Sequence, residues 1–135
     1  MMILSDKGYE KWIKFSGMLE MGFGVLFLFF MPAVFTTVGI PSEIPFGLHA
    51  FGMCVFALGL TLYVSHRNPK EMAAVPIISC LMRFGMVGVE LYSAILLFGF
   101  SEYSDIISYA LVCGATYDLV SAAFTLLVMK QKSLF

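Results

Sequence analysis

Val25-Leu26-Phe27-Leu28-Phe29-Phe30 is a run of bulky apolar side chains with no polar residue among them. A strand of a membrane barrel alternates lipid-facing and lumen-facing residues, and this run does not. A helix satisfies its interior backbone groups within itself, a task that lipid cannot perform. Working outward, the stretch extends back to about Trp12 and forward to Met31-Pro32, which predicts a span over residues 12–30. Three more apolar stretches follow, over about 46–64, 73–98 and 106–129. Each is roughly 19 to 26 residues long, enough to cross a ~30 Å hydrocarbon core as a helix. The expected fold class is all-α: four transmembrane helices in an up-down-up-down bundle, forming one domain over residues 1–135.

Composition agrees. Of 135 residues, 60% are apolar and only 13% are charged, and the formal net charge is −1. A soluble domain carries roughly 25% charged residues. A soluble chain this short has too much surface for its volume to hide so much apolar area. The balance excludes an ordinary soluble globule, a disordered chain and a nucleic-acid binder. Cys54, Cys80 and Cys113 each lie inside an apolar run without a Cys-x-x-Cys pair, and read as buried free thiols acting as small apolar residues. The apolar stretch after Lys7, Lys11 and Lys14 is longer than a signal-peptide core and lacks a small-x-small cleavage site, so it is read as retained.

The breaks between spans have a chemical basis. Pro32 is expected to end the first helix, and Thr36, Thr37, Gly39, Pro41, Ser42 and Pro45 form a loop. Asn68-Pro69-Lys70-Glu71 reads as a helix start, with Asn68 as N-cap and Glu71 reaching back. Pro76 falls in the opening turns of the third span, where it is expected to bend the helix. Ser101 or Ser104 is expected to cap the fourth helix, near Glu102 and Asp105.

Charge sets the expected orientation. Lys7, Lys11 and Lys14 precede the first span, Arg67 and Lys70 separate the second from the third, and Lys130 and Lys132 follow the fourth. The two remaining connections hold Glu43, Glu102 and Asp105 and no Lys or Arg. The positive-inside rule places both termini in the cytoplasm. Tyr9 and Trp12 at one boundary, and Tyr103 and Tyr109 at the other, read as interface anchors.

The candidate site residues are the ionisable groups inside the spans. Glu20, Arg83 and Asp118 lie about 12, 15 and 16 Å from the cytoplasmic ends of their helices at ~1.5 Å per residue. They are expected to share a layer as a buried polar clasp, with the Arg83 fork held between two carboxylates. Glu90 stands about 25 Å up the third helix and His49 at a similar height on the second, a second layer that could serve an ion, a proton or a ligand. All three carboxylates ionised would leave an interior of −2, which low dielectric disfavours, so Glu90 is expected to be neutral or bonded to His49. Small and polar residues gather on one face of every helix: Ser16, Gly17, Glu20 and Gly24; His49, Gly52, Phe56, Gly59 and Tyr63; Ser79, Arg83, Met86, Glu90 and Ser93; Gly114, Asp118, Ser121, Ala122 and Thr125. Membrane helices pack through such faces. His66 is expected to be solvated. No metal-ligand spacing, phosphate loop or nucleophile motif is present, and no cofactor is expected.

The layout, with Met31-Pro32 after the first span, a glycine-spaced second span ending at Tyr63, Asn68-Pro69 before the third, a basic residue within it and Tyr117-Asp118 in the fourth, resembles small DoxX-like four-helix membrane proteins. The resemblance implies a four-helix bundle and carries no activity, and no catalytic residue is transferred from it. The leading functional expectation is a non-enzymatic accessory or structural subunit of a membrane complex, or a homo-oligomer, whose partners are lipid and other membrane helices. The alternative is a small proton- or cation-coupled transporter using Glu20, Glu90 and Asp118. A third class is a lipid- or quinone-binding membrane enzyme.

Overall fold

The computed structural model describes residues 4–37, 43–99 and 102–134, with the side chains of all of these except 43–48 and 102–103. The described elements are helices: α1 (Asp6–Val25), a π turn (Leu26–Phe30), α2 (Met31–Thr37), α3 (Glu43–Ser65), α4 (Ala74–Leu97) and α5 (Glu102–Gln131). Among the described residues there is no strand. The rods Asp6–Thr37, Ala74–Leu97 and Ser104–Gln131 are long and apolar enough to cross a membrane, and His49–Ser65 of α3 is a shorter apolar helix. The chain is thus an all-helical protein with the makings of a membrane bundle. Its outward side chains fit that solvent: Phe29 is 68% exposed and Ile95 75%.

The first helix departs from the sequence expectation at both ends. It begins at Asp6, ahead of the apolar span, because the Ser5 hydroxyl accepts from the Gly8 N–H at 3.1 Å and caps the N-terminus. It also continues through Pro32. A proline inside an α-helix lacks the N–H that would bond four residues back, and its ring crowds that carbonyl. Here the backbone widens into the π turn just before it, and the Met31 N–H reaches back five residues to the Leu26 carbonyl. The ring is accommodated, and α2 runs on to Thr37.

The other boundaries differ in smaller ways. Asn68 does not open the third long helix. Its carbonyl accepts from the Met72 N–H at 3.0 Å, closing one isolated turn, and α4 starts at Ala74 with Pro76 in its first turn. A proline there gives up only an N–H that a helix start leaves unused. Ser101 lies outside the described residues. Ser104 sits inside α5 rather than capping it, and its carbonyl accepts from the Ser108 hydroxyl at 2.9 Å. Gly99 leaves α4 at φ +87°, a conformation suited to glycine, and its N–H is held by Asp105 Oδ1 at 2.7 Å. At the far end of α5, Ser133 (φ 51°) closes the helix: its N–H reaches Lys130 and the Leu134 N–H reaches Met129, both at 3.1 Å.

Contacts divide the chain into two compact units, Leu4–Val75 and the part from Pro76 onward. In the first, α1 and α3 are antiparallel and meet backbone to backbone at four glycines. A Cβ placed on Gly17 would stand 2.5 Å from the Tyr63 nitrogen, and one on Gly24 2.6 Å from the Phe56 nitrogen. From the other side, a Cβ on Gly59 would stand 2.5 Å from the Met21 nitrogen, and one on Gly52 2.9 Å from the Leu28 nitrogen. The seven-residue spacing within each pair keeps both glycines on one helix face. In the second unit, Cys80 with Ala122, Arg83 with Ser121, Glu90 with Gly114 and Gly99 with Asp105 pair in opposite chain order. α4 and α5 are therefore antiparallel.

Candidate functional site

The second unit holds a polar seam between α4 and α5. Arg83 is 5% exposed. Its Nη1 donates to the Ser121 hydroxyl, and Ser121 in turn donates to the Asp118 carbonyl at 3.2 Å. The guanidinium carbon lies 5.5 Å from the centroid of the Tyr117 ring, a cation–π distance. Arg83 is thus held by a hydroxyl and an aromatic face from one turn of α5. Buried Ser79 on α4 and buried Thr125 on α5 lie on the same seam, and the Cys80 thiol donates to the Ala122 carbonyl at 3.6 Å.

Glu90 lies seven residues beyond Arg83 on the same face of α4, about 10 Å further along the axis. Its Oε1 comes within 2.8 Å of the position that a Gly114 Cβ would occupy. Its Oε2 is buried and has no hydrogen-bond partner among the described residues. Asp118, one turn along α5 from Gly114, is within electrostatic reach of Glu90. Near the Gly99 end of this helix pair, an apolar groove of about 420 Å³ is lined by Leu91, Ala94, Phe98, Tyr109 and Val112 with Ser108. The Ser108 hydroxyl is occupied by the Ser104 carbonyl. The groove has the chemistry to receive an apolar chain and little to orient a polar one.

In the first unit Glu20 is 5% exposed on α1, with its Cβ 2.9 Å from where a Gly59 Cβ would stand. His49 is exposed on α3. The structure therefore brings Arg83 to the Asp118 turn, and Glu90 into reach of Asp118. Glu20 and His49 belong to the first unit, and Arg83 and Glu90 to the second.

Several side chains sit elsewhere than the sequence suggests. Tyr9 is 1% exposed, a packed residue rather than an interface anchor, because its helix starts early enough to carry it inward. His66 is half-buried, not freely solvated: its Nδ1 meets the Tyr63 carbonyl and its ring lies 5.3 Å from the Tyr63 ring. Cys80 is buried, but Cys54 and Cys113 point outward, since their positions fall off the packed faces of α3 and α5. The pairing of Tyr117 with Arg83 and of Gly114 with Glu90 goes beyond the sequence expectation, which places Gly114 only on the packing face of the fourth span. Tyr117 stands four residues before Ser121 on the same stripe, a spacing that could have marked it. Among the described residues, no three His, Cys, Asp or Glu side chains are grouped to hold a metal ion. No family model, no curated protein and no solved structure matches the chain.

Proposed function

We propose that the chain is a non-enzymatic integral membrane protein that works through helix contacts, as an accessory subunit or a homo-oligomer, with both termini cytoplasmic. One observation carries this reading. Leu81, Gly85, Gly88, Tyr92 and Ile95 form a straight outward stripe on α4, opposite the Arg83 face. Leu81 is 64% exposed, Tyr92 65% and Ile95 75%, while a Cβ on Gly85 or Gly88 would meet nothing within 4 Å. Glycine in a helix interior costs roughly 0.5–1 kcal/mol relative to alanine. The described fold makes no use of these two, whereas a second helix pressed against the stripe would. The Arg83 seam between α4 and α5 then serves as an internal clasp that fixes their register.

The test is association in mild detergent, by mass photometry and by what co-purifies from native membranes. Gly85→Leu and Gly88→Leu fill open space and leave the fold intact. Loss of a stable oligomer or partner in these variants supports the reading, and a wild-type chain that runs alone as a monomer contradicts it.

The buried Oε2 of Glu90, which has no hydrogen-bond partner among the described residues, favours a second reading, a proton or cation conductor. Glu90→Gln keeps the shape and removes titration. In reconstituted vesicles with a pH-sensitive dye, flux in wild type that disappears in folded Glu90→Gln would favour conduction over contact.

A further inference from the structure

Lys7, Lys11 and Lys14 are all exposed and, at 3.6 residues per turn, fall within a ~60° arc of α1. The same stripe continues into Met18 (54% exposed), Gly22, Val25 (37%) and Phe29 (68%), with no further charge. Three cations over about 10 Å are therefore followed by an apolar track, Met18 to Phe29, of about 17 Å. Those lengths match a headgroup zone and about one leaflet of a ~30 Å hydrocarbon core. The Lys14 ammonium lies 5.7 Å over the Tyr63 ring, so the end of α3 and the exposed Arg67 and Lys70 after it share this end of the unit. The carboxylates nearby in sequence are Asp6, Glu10 and Glu71, fewer than the cations, and on α1 Asp6 and Glu10 fall about 80° and 40° outside the lysine arc.

We propose that the Lys7-Lys11-Lys14 stripe of α1 is a binding site for anionic phospholipid, its ammonium groups on the phosphate headgroup and its Met18-to-Phe29 track along the acyl chains. A cationic zone leading without interruption into a lipid-facing track is complementary to a molecule with an anionic head and an apolar tail. A free phosphate or an acidic polypeptide would use the lysines and leave the track idle. The inference rests on α1 spanning the bilayer and is independent of whether the protein works by contact or by conduction.

Trp12, the only tryptophan, lies beside Lys11, half-buried and with its ring 6.4 Å from that of Phe15. It reports on the lipid at this site. The full chain is reconstituted in mixtures of phosphatidylcholine and phosphatidylglycerol, with bromine on the acyl chains of only one lipid at a time, and Trp12 quenching is read. One lysine near an anionic leaflet is worth about a factor of five in affinity. Brominated phosphatidylglycerol is expected to quench as though favoured about five-fold at Trp12. Salt at about 0.5 M should bring the ratio close to one. Lys7→Gln, Lys11→Gln and Lys14→Gln together should do the same, and the corresponding arginine triple should keep the preference. The salt titration decides the matter on the wild-type chain even if the glutamine triple fails to reconstitute. Equal quenching by the two lipids in low salt would leave the stripe to a protein partner and overturn the proposal. So would a preference that survives salt or the glutamine triple.

Discussion

Gly59→Ala is the most informative single perturbation of the fold. The new methyl would stand 2.5 Å from the Met21 nitrogen, 2.8 Å from the Gly17 carbonyl oxygen and 2.9 Å from the Glu20 Cβ. Two of these neighbours are backbone and cannot rotate away. Ordinary contact begins near 3.4 Å, so α1 and α3 must separate locally by about 0.9 Å. A gap of 0.5–1 Å forfeits roughly a quarter to a half of each dispersion contact it opens. Overpacking of this kind costs about 1–3 kcal/mol, and the better helix propensity of alanine returns up to ~1 kcal/mol. The expected net loss is about 1–2 kcal/mol. Gly22→Ala is the control, because the same methyl there meets nothing within 4 Å and should stabilise α1. Thermal melts followed by circular dichroism in one detergent compare the two. If Gly59→Ala melts at or above wild type, in step with Gly22→Ala, the close approach of α1 and α3 is wrong.

Other consequences follow from the second unit. Arg83→Met removes the donor to Ser121 and the cation over Tyr117 and should lower stability by about 1–3 kcal/mol, and Ser121→Ala, which leaves the buried guanidinium short of an acceptor, by about 1–3 kcal/mol. In a double-mutant cycle, Ser121→Ala should cost much less in the Arg83→Met background, and additivity would show that the two do not interact. Gly114→Ala meets only the tip of the flexible Glu90 side chain, at 2.8 Å, so it should fold like wild type, unlike Gly59→Ala, in the same melts. Ser133→Gly should stabilise the end of α5 by about 1 kcal/mol, because the left-handed conformation at φ 51° penalises any side chain; slower amide exchange at Leu134 is the readout.

The sequence made the four rods legible because an apolar run near 20 residues has few alternatives. The glycine faces were legible too: Gly17 with Gly24 and Gly52 with Gly59 are each seven apart, and that spacing puts both members on one side. The ends were harder to read. Pro32 signals a helix stop by local rules, and only a widened turn, which has no sequence signature, lets the helix continue. Asn68-Pro69 carries good capping chemistry, yet the isolated Met72 turn intervenes before α4. In the candidate site, residue types and phases could be read from α4 and α5 separately. The seating of Glu90 at Gly114, and of Arg83 between Ser121 and Tyr117, depends on the axial offset of the two helices. That offset is set by packing, which periodicity does not encode.

The central claim is that four helices cross a bilayer with residues 68 and 135 inside. Alkaline phosphatase, active only outside the cytoplasm, fused in turn after residues 37, 68, 100 and 135 tests it directly. The account predicts activity at 37 and 100 and none at 68 and 135, in fusions matched for amount. Activity at 68 and 135 with none at 37 and 100 would contradict the orientation, and equal activity at 37 and 68 would contradict the four-span architecture itself.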